Sequence, residues 1–402
     1  MRIIHTSDWH LGKNLEGISR INEQKQFLKD FCSIVEENNI DIVIIAGDIY
    51  DNSNPKAIAE KMFYDTLKTL SNNGNRIIIL ISGNHDSPDR LVAASNLAKD
   101  LGIIMVGTPK SIVKEGKYGC AEVFDSTEGF FRLKMKNEVV SVIALPYPSE
   151  KNLNEALYGD MDEDQENIKS YNDRIKLYFN KLESKYRDDT INIAISHLFT
   201  LGSIEGGSER GIELGGSYIV NGECLPKKAQ YIALGHIHKA QIVQGTNKRA
   251  RYSGSPLQYN KKEINYEKGC YLIDIKPLEE PKISTIKFKT YKPIEIWKCR
   301  SIKEAIDMCE KNKDKESYVY IEIETDVFIS EEDIKIMKNL KGDIVQITPI
   351  LKIEEEFSDN IVGDVAEKSF QELFCDFYKK TTGMEATEEL TETILDIIKE
   401  EE

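Results

Sequence analysis

Cysteine is sparse in this sequence and nowhere paired. The seven cysteines, at 32, 120, 224, 270, 299, 309 and 375, are odd in number and never spaced C-x-x-C. Neither a disulfide framework nor a thiolate zinc site is expected, and a reducing cytoplasm is the expected setting. Long apolar runs are missing too. No stretch approaches the roughly 20 residues that a membrane span needs, so no membrane association is expected. The opening "MRIIHTSDWH" has no signal-peptide pattern and begins directly on a strand-like run. Positive charge is outnumbered, with 53 Lys and Arg against 68 Asp and Glu, a net of −15. Histidine is scarce as well, at six residues in 402.

The charge is unevenly spread. Eight basic residues and no acid lie between Leu225 and Lys262: Lys227, Lys228, Lys239, Lys248, Arg249, Arg251, Lys261 and Lys262. From Asp359 to Glu402 there are 13 acids against 4 bases. The acidic total therefore does not exclude a polyanionic ligand, which would meet a local basic patch. In sequence that patch surrounds His236 and His238. Solvated loop charge is the alternative reading of the same run.

A chain of 402 residues is too long for one ordinary core, and two or three domains are expected. The first hundred residues alternate strand and helix. "RIIHTS" (2–7), "DIVIIAGD" (41–48) and "RIIILISGN" (76–84) read as strands. Arg20–Asn38, Pro55–Leu70 and Pro88–Leu101 read as helices. Near-continuous apolar strands separated by helices predict a largely parallel sheet covered on both faces. Residues 103–148 are richer in short strands. A polar, acidic region follows (Ser149–Glu166), then a helix to about Tyr186 and the strand "INIAISH" (191–197). The glycine-rich 201–218 reads as a mobile loop. From about Tyr291 a small α+β unit without histidine is expected, with helices near Ile302–Lys311 and Ser330–Leu340. An acidic linker (Glu354–Asp364) and two amphipathic segments, Ala366–Lys380 and Thr387–Glu400, complete the chain.

Five of the six histidines stand just after predicted strands: His10 in "SDWH", His85 in "SGNHD", His197 in "ISH", and His236 and His238 in "GHIH". Polar residues at the carboxyl ends of strands are where open α/β sheets gather ligands. One such histidine is usually structural. Five, together with Asp8, Asp48 and Asn84, are not explained by packing, because clustered buried carboxylates repel unless a cation sits between them. Nitrogen and oxygen donors without thiolate suit Mn²⁺, Fe²⁺ or Zn²⁺ better than Ca²⁺. Asp8, His10, Asp48, Asn84, His197, His236 and His238 are too many ligands for one tetrahedral ion. They suit two ions sharing a carboxylate, about 3.5–4 Å apart, as a clamp for in-line displacement at phosphorus.

D-x-H, G-D, G-N-H-D, a strand-end H and G-H-x-H, in that order, resemble the calcineurin-like metallophosphoesterases. More closely, "MRIIHTSDWHLGK", "AGDIYD", "SGNHDSP" and "YIALGHIHKAQ…YSGSP" resemble the nuclease branch of that family, the SbcCD type. Its nuclease subunits work with the SbcC coiled-coil ATPase on DNA ends. The resemblance is strongest before about residue 275. It implies an α/β sandwich of two sheets flanked by helices over 1–285, a small α+β DNA-capping domain over 286–353, and a linker with a helical, ATPase-binding tail over 354–402.

The resemblance also implies the roles. One ion takes Asp8, His10, Asp48 and His238. The other takes Asp48, Asn84, His197 and His236. Mn²⁺ is the expected metal, with Mg²⁺, Fe²⁺ and Zn²⁺ as alternatives. His85 is the family's catalytic non-ligand histidine, beside the scissile phosphate. Asp51 stands where many relatives carry histidine. It is expected to hydrogen-bond to His85, or alternatively to cap the helix beginning near Pro55. Lys13, Arg20, Arg90, Ser253 and Ser255 are candidate DNA contacts, the last two through backbone N–H groups of the "SGSP" turn. His5 matches no ligand position and is expected to be structural. Trp9 is expected to pack. A homodimer is expected through the helices near 56–70 and 88–100, with Met62, Phe63, Leu67, Leu91 and Val92 as candidate contacts, some of which must face the protomer's own core. The ATPase is expected at 366–400.

The leading reading is a metal-dependent nuclease subunit of the cytoplasm, associated with the nucleoid. A phosphoesterase acting on a phosphoprotein or small phosphodiester needs neither the basic 225–262 stretch nor the C-terminal third. A non-catalytic DNA-end tether needs neither the full ligand set nor His85.

Overall fold

The computed structural model describes residues 1–158, 170–207, 209 and 218–350, with 374, 375, 378, 387, 390 and 391. The chain divides into a larger unit, Met1–Ile323 with Ile329–Thr348, and a smaller one, Glu324–Phe328 with Pro349–Glu402. Within the smaller unit the Thr325 N–H donates to the Ile350 carbonyl (3.1 Å), and Val327 and Phe328 are exposed. Apart from the isolated positions above, the segments expected at 366–380 and 387–400 lie outside the described residues, as do 208 and 210–217 of the glycine-rich loop.

Two sheets form the centre of the larger unit. The first has six strands in the order Lys282–Lys287, Gly269–Asp274, Arg2–Thr6, Ile42–Ala46, Ile77–Ile81 and Ile103–Val106. Its last four strands are parallel, and the Gly269–Asp274 and Lys282–Lys287 strands add antiparallel pairings at one edge. The second has eight strands: Gln241–Ile242, Ala250–Tyr252, Tyr231–Gly235, Ile191–His197, Glu138–Leu145, Phe130–Met135, Ala121–Thr127 and Gly116–Tyr118. Ala250–Tyr252, Tyr231–Gly235, Ile191–His197 and Glu138–Leu145 run parallel.

The period of two along each strand sorts the core. In the Ile42–Ala46 strand, Ile42, Ile44 and Ala46 meet Val140, Val142, Ile193 and Ile195 between the sheets. Val43 and Ile45 face the other way, onto Phe27, Phe31, Val35, Phe63 and Leu67. Those aromatics come from the helices Ile21–Glu37 and Ala57–Leu70. On the far side Ile143, Leu145, Ile232 and Leu234 pack on Ile175, Tyr178 and Phe179 of the helix Tyr171–Glu183. The result is helix, sheet, sheet, helix, as expected of two sheets flanked by helices. Among the described residues no helix is long and apolar enough to cross a membrane.

Three expectations are corrected. The single helix at 88–101 is broken into Pro88–Val92, Ser95–Ala98 and a 3₁₀ turn Lys99–Leu101, since Leu97 points outward and the continuous buried stripe of one helix is missing. The acidic region after Ser149 begins with a helix, Glu150–Tyr158, because Leu153 and Ala156 bury one face. The expected dimer contacts Met62, Phe63, Leu67 and Leu91 are buried in this chain's own core, and Val92 packs partly against it. They cover the outer face of the first sheet; Ile58 and Tyr64 are what the Ala57–Leu70 helix turns outward.

A small α+β body follows the Lys282–Lys287 edge strand in the chain. Its strands Ile294–Cys299, Tyr318–Glu324 and Ile344–Ile350 pack on helices Ile302–Lys311 and Glu331–Leu340 around Trp297, Ala305, Cys309, Ile321 and Met337. It has its own core, and it joins the sandwich through a second cluster of Leu15, Ile294, Tyr318 and Tyr320. At that junction the Arg20 guanidinium lies 4.8 Å from the Tyr318 ring centroid. Arg20 also donates to Glu23 (2.5 Å) and to the Gln258 carbonyl (2.6 Å), while the Tyr318 hydroxyl donates to Glu23 (2.9 Å).

The two faces of the Ala57–Leu70 helix should respond differently to substitution. Phe63→Ala is expected to remove about 3–5 kcal/mol of stability, as a deleted core aromatic does. Ile58→Glu is expected to stay within about 0.5 kcal/mol. Denaturant unfolding of both variants measures this, and equal losses would place the helix the other way round.

Candidate metal centre

The loops after the parallel strands of both sheets meet above the inter-sheet core. Residues 8–11 are zipped to 47–49: the N–H groups of Asp8, His10 and Leu11 donate to the carbonyls of Gly47, Asp48 and Ile49 at 3.0, 3.0 and 2.9 Å. Close approach decides two glycines. A Cβ at Gly83 would strike the Asp48 carboxylate, and one at Gly235 would strike the Ala46 carbonyl and the His197 ring. Asp8, His10, Asp48 and His236 all have positive φ, at 55, 45, 51 and 101°. Such backbone is costly for residues with side chains and clusters at functional sites.

All seven residues expected as ligands come together. Asp8, His10 and His238 form one group whose donor atoms lie within 4.8 Å of one another, and Asp48, His197 and His236 form a second. Asn84 joins the second, its Oδ1 standing 3.0 Å from His197 Nε2 and 3.1 Å from His236 Nδ1. His10 Nε2 and His238 Nε2 face each other at 2.9 Å. Asp48 divides its two oxygens. Oδ1 accepts the His85 N–H at 2.9 Å, while Oδ2 is turned to His10 Nε2 (3.5 Å) and His197 Nε2 (3.4 Å). Asp8 is held by the Ser7 hydroxyl (2.5 Å) and by the His236 N–H (2.9 Å). Converging nitrogen and oxygen donors of this kind, all buried except the half-buried Asn84, fit a divalent metal.

The electrostatics follow from burial and neighbours. Burial pushes the Asp8 carboxyl up to about 6, against the pull of His197 and His238. Burial acts the same way on Asp48, but His197, His10 and His85 outweigh it and hold Asp48 well below the usual range. Burial lowers His197, yet the Asp48 carboxylate overrides it and raises the imidazole to about 9. Asp48 is thus the ionised centre of the cluster.

His85 borders the first group and, with His10 and Asp51, makes a third set of donor atoms within 4.8 Å of one another. Its Nδ1 donates to the backbone carbonyl of Asp51 at 2.6 Å, which turns Nε2 toward Asp48 Oδ2, 3.9 Å away. Asp51 thus reaches His85 through its main chain, while its carboxylate is bonded to Lys13 (3.2 Å). That corrects the expected side-chain bond. Nor does Asp51 cap the following helix, whose cap position is Lys56.

The candidate DNA contacts scatter. Lys13 stays beside Asp51, and Arg90 is half-exposed, paired with Glu60 (2.9 Å). Arg20 is buried in the junction with the small body, with its guanidinium used there. Ser253 and Ser255 are buried, bonded to Ser7 (2.8 Å) and to the Leu257 carbonyl (2.9 Å) respectively, so their hydroxyls serve the interior. The basic stretch does not surround the histidines. Lys227, Lys228, Lys248 and Arg249 precede the parallel strands Tyr231–Gly235 and Ala250–Tyr252, whose carboxyl ends carry the site. At about 3.3 Å per strand residue they sit roughly 15 Å away, at the opposite edge of the sheet. Arg249 there donates to the carbonyls of Pro226 and Ala229, at 2.9 and 3.0 Å. Only Lys239, Lys261 and Lys262 of that stretch follow the carboxyl ends.

Several residues that sequence reasoning missed support the site. Asp86 accepts from the N–H groups of Gly83 (2.8 Å), Tyr50 (2.9 Å) and Ile49 (3.2 Å), so it braces the loops of Asp48 and His85. Its signal was its place in "SGNHDSP". Glu209 accepts the His238 N–H at 2.9 Å. Tyr147 stacks on His236 with ring centroids 6.4 Å apart. Glu263 and Lys268 are buried behind His238; burial pushes Glu263 up, but Lys268 and His238 outweigh it and hold it at about 2.

His5 and Trp9 lie outside the donor set. Trp9 is fully buried edge-on to Phe27 and Phe31. His5 is fully buried, bonded to the Tyr231 hydroxyl (2.8 Å), and burial lowers it to about 3. A base lowered from 6.5 to about 3 on folding contributes stability above pH 6.5 that is lost as pH falls toward 3. His5→Leu should flatten that stretch of the stability curve by several kcal/mol, on the order of 1.4 kcal/mol per pH unit. Urea midpoints between pH 4 and 7 test it, and parallel curves for variant and wild type would refute it.

The family described as calcineurin-like phosphoesterase matches residues 1–240. A family described as type 5 capsule protein repressor C-terminal domain matches residues 290–382. A Bacillus subtilis (strain 168) protein, named as the D subunit of nuclease SbcCD, is 38% identical over 386 residues, 95% of this chain and 94% of the relative. A protein of the same name from Rhodobacter capsulatus is 32% identical over 280 residues, 68% of this chain and 66% of the relative. One from Escherichia coli (strain K12) is 25% identical over 377 residues, 93% and 90% of the two chains. With its donor set, its two-sheet frame and this similarity over nearly its whole length, the chain belongs to the calcineurin-like phosphoesterases, in the family of SbcCD nuclease D subunits.

Proposed function

We propose that the chain is a metal-dependent DNA nuclease subunit, hydrolysing phosphodiesters with two divalent ions. It acts as a 3′→5′ double-strand exonuclease and a single-strand endonuclease, together with the SbcC ATPase, on broken ends and hairpins. The observation that carries this reading is the convergence of Asp8, His10 and His238 on one side and of Asn84, His197 and His236 on the other, with Asp48 Oδ2 between them. Asp8, His10, Asp48 and His238 hold one ion, and Asp48, Asn84, His197 and His236 the other. Mn²⁺ fits this mixture of imidazole and carboxylate; Mg²⁺, Fe²⁺ and Zn²⁺ are the alternatives. When bound, such ions supply Lewis acidity, neutralising phosphoryl charge and acidifying water.

The chain's own residues do the rest. The Asp51 carbonyl fixes the His85 ring with Nδ1 protonated, so Nε2 is the nitrogen turned to the reacting centre. A protonated His85 Nε2 donates its proton to the departing 3′ oxygen. Burial of the donors excludes bulk water from the metal side of the centre. Lys239, Lys261 and Lys262, on the carboxyl-end side of the sheet, meet the DNA backbone, with Lys13 beside His85. Residues 1–285 form the nuclease domain and 286–353 the capping domain. The acidic tail beyond 354 binds the ATPase base through 366–400. A homodimer through the helices near 56–70 and 88–100 uses outward residues such as Ile58, Tyr64 and Leu97. The setting is the cytoplasm, close to the nucleoid.

His85→Gln should lower cleavage of single-stranded DNA by at least about 100-fold, the usual scale of general-acid catalysis, and leave both ions bound. Asp48→Ala should lose both. Elemental analysis alongside the cleavage assay separates the two outcomes; metal loss in His85→Gln would defeat the assignment.

Replacing Lys239, Lys261 and Lys262 by Gln should flatten the log–log salt dependence of duplex binding, by close to one unit for each phosphate no longer neutralised. The same change at Lys227, Lys228 and Lys248 should leave the slope as it is. The opposite result would put the DNA at the other edge of the sheet.

A further inference from the structure

The donor groups leave one buried ion pair unexplained. Glu263 is fully buried and Lys268 nearly so. Lys268 Nζ donates to Glu263 Oε2 at 2.5 Å, to the Ser255 hydroxyl at 2.7 Å and to the His238 main-chain carbonyl at 3.0 Å. The other Glu263 oxygen, Oε1, stands 3.4 Å from His238 Nδ1. The pair therefore grips His238 twice, by its backbone and by its ring.

Stability alone is a poor reason to keep such a pair. Desolvating two charges cancels much of their attraction, and well-packed apolar residues often serve as well. Orientation is a better reason. The two nitrogens of an imidazole compete to carry its single proton, and the partner of one decides the availability of the other. His238 Nε2 faces His10 Nε2 across 2.9 Å, in the first donor group. A carboxylate at Nδ1 keeps the proton on that side and leaves the Nε2 lone pair for an ion. His197 is arranged by the same logic with a weaker acceptor, its Nδ1 donating to the Ala46 carbonyl at 2.8 Å. Carboxylate partners of this kind raise ligand basicity, and losing one typically costs about 10–100-fold in metal affinity.

We propose that Glu263 and Lys268 are positioning residues for the metal, a buried charge pair that aims His238 Nε2 and makes it a stronger donor. Lys268 has two parts in this. It neutralises Glu263, which otherwise stands as a lone buried carboxylate. It also ties that carboxylate to Ser255 and to the His238 carbonyl, so the ring and its main chain are set against one frame. The inference rests on the assignment of His238 as a ligand of one ion and not of the other. It implies that disturbing the pair affects one of two binding events.

The test is a Mn²⁺ titration of the full chain, following free ion by electron paramagnetic resonance, with Co²⁺ absorption as a second reading of coordination. Wild type should bind two ions. Glu263→Gln, which keeps the shape and removes the charge, should weaken one binding event about 10-fold or more, leave the other unchanged and alter the Co²⁺ spectrum. The double variant Glu263→Gln, Lys268→Met buries no unpaired charge and should show the same selective loss if the single variant folds poorly. In a His238→Ala background, Glu263→Gln should weaken binding no further. Two wild-type affinities with an unchanged Co²⁺ spectrum in the folded double variant would overturn the proposal. So would an equal loss at both sites. A wild-type chain that takes up no ion would instead defeat the metal-centre reading beneath it.

Discussion

One carboxylate oxygen organises the upper half of this molecule. Asp48 Oδ2 is buried and has two imidazole nitrogens within 3.5 Å, His10 from the loop after the Arg2–Thr6 strand of one sheet and His197 from a strand end of the other. A buried carboxylate is tolerable only with compensating charge and hydrogen bonds, and its surroundings are built to supply both. The other oxygen is occupied by a main-chain N–H. The loops around it are laced by backbone bonds between residues 8–11 and 47–49, and by the three N–H groups that converge on Asp86. That lacing is what sustains positive φ at Asp8, His10, Asp48 and His236, conformations such residues rarely adopt when unconstrained.

The frame beneath makes this possible. The parallel strands that lead to the donors are packed on both faces, so the donors start from well-buried strand ends. The sheets must also come close at that end. Gly83 and Gly235 permit it, since a methyl group at either would occupy space already taken by Asp48 or by Ala46 and His197. Precision at the site is a property of strand ends, with the loops adding only a few residues of reach.

The strands and the donors were legible in the sequence because both obey short-range rules. Ile42–Ala46 and Ile77–Ile81 are unbroken apolar runs, and a polar residue after such a run marks a carboxyl end. What was not legible depends on the third dimension. Lys227 and His236 are nine positions apart, yet an extended strand between them sends them to opposite edges of the sheet. Met62, Phe63 and Leu67 look like a free apolar stripe until the sheet they cover is known. Glu263 and Lys268 sit in "KKEINYEK", where charge looks like solvent exposure; only the fold closes Ser255 and His238 over them. Asp51 shows a subtler limit. Its position beside His85 was readable, but the bond is made by a main-chain carbonyl that any residue type would provide.

The junction with the small body bears on how force travels through the chain. Arg20 is clasped between the Tyr318 ring on one side and the Gln258 carbonyl on the other. Gln258 in turn donates to the carbonyls of Glu263 (3.2 Å) and Ile264 (2.9 Å). Tilting the small body therefore either parts the arginine from the tyrosine or drags the segment that carries Glu263. A run of contacts thus links Tyr318 of the small body, through Arg20 and Gln258, to the main chain at Glu263, whose side chain stands 3.4 Å from His238 Nδ1.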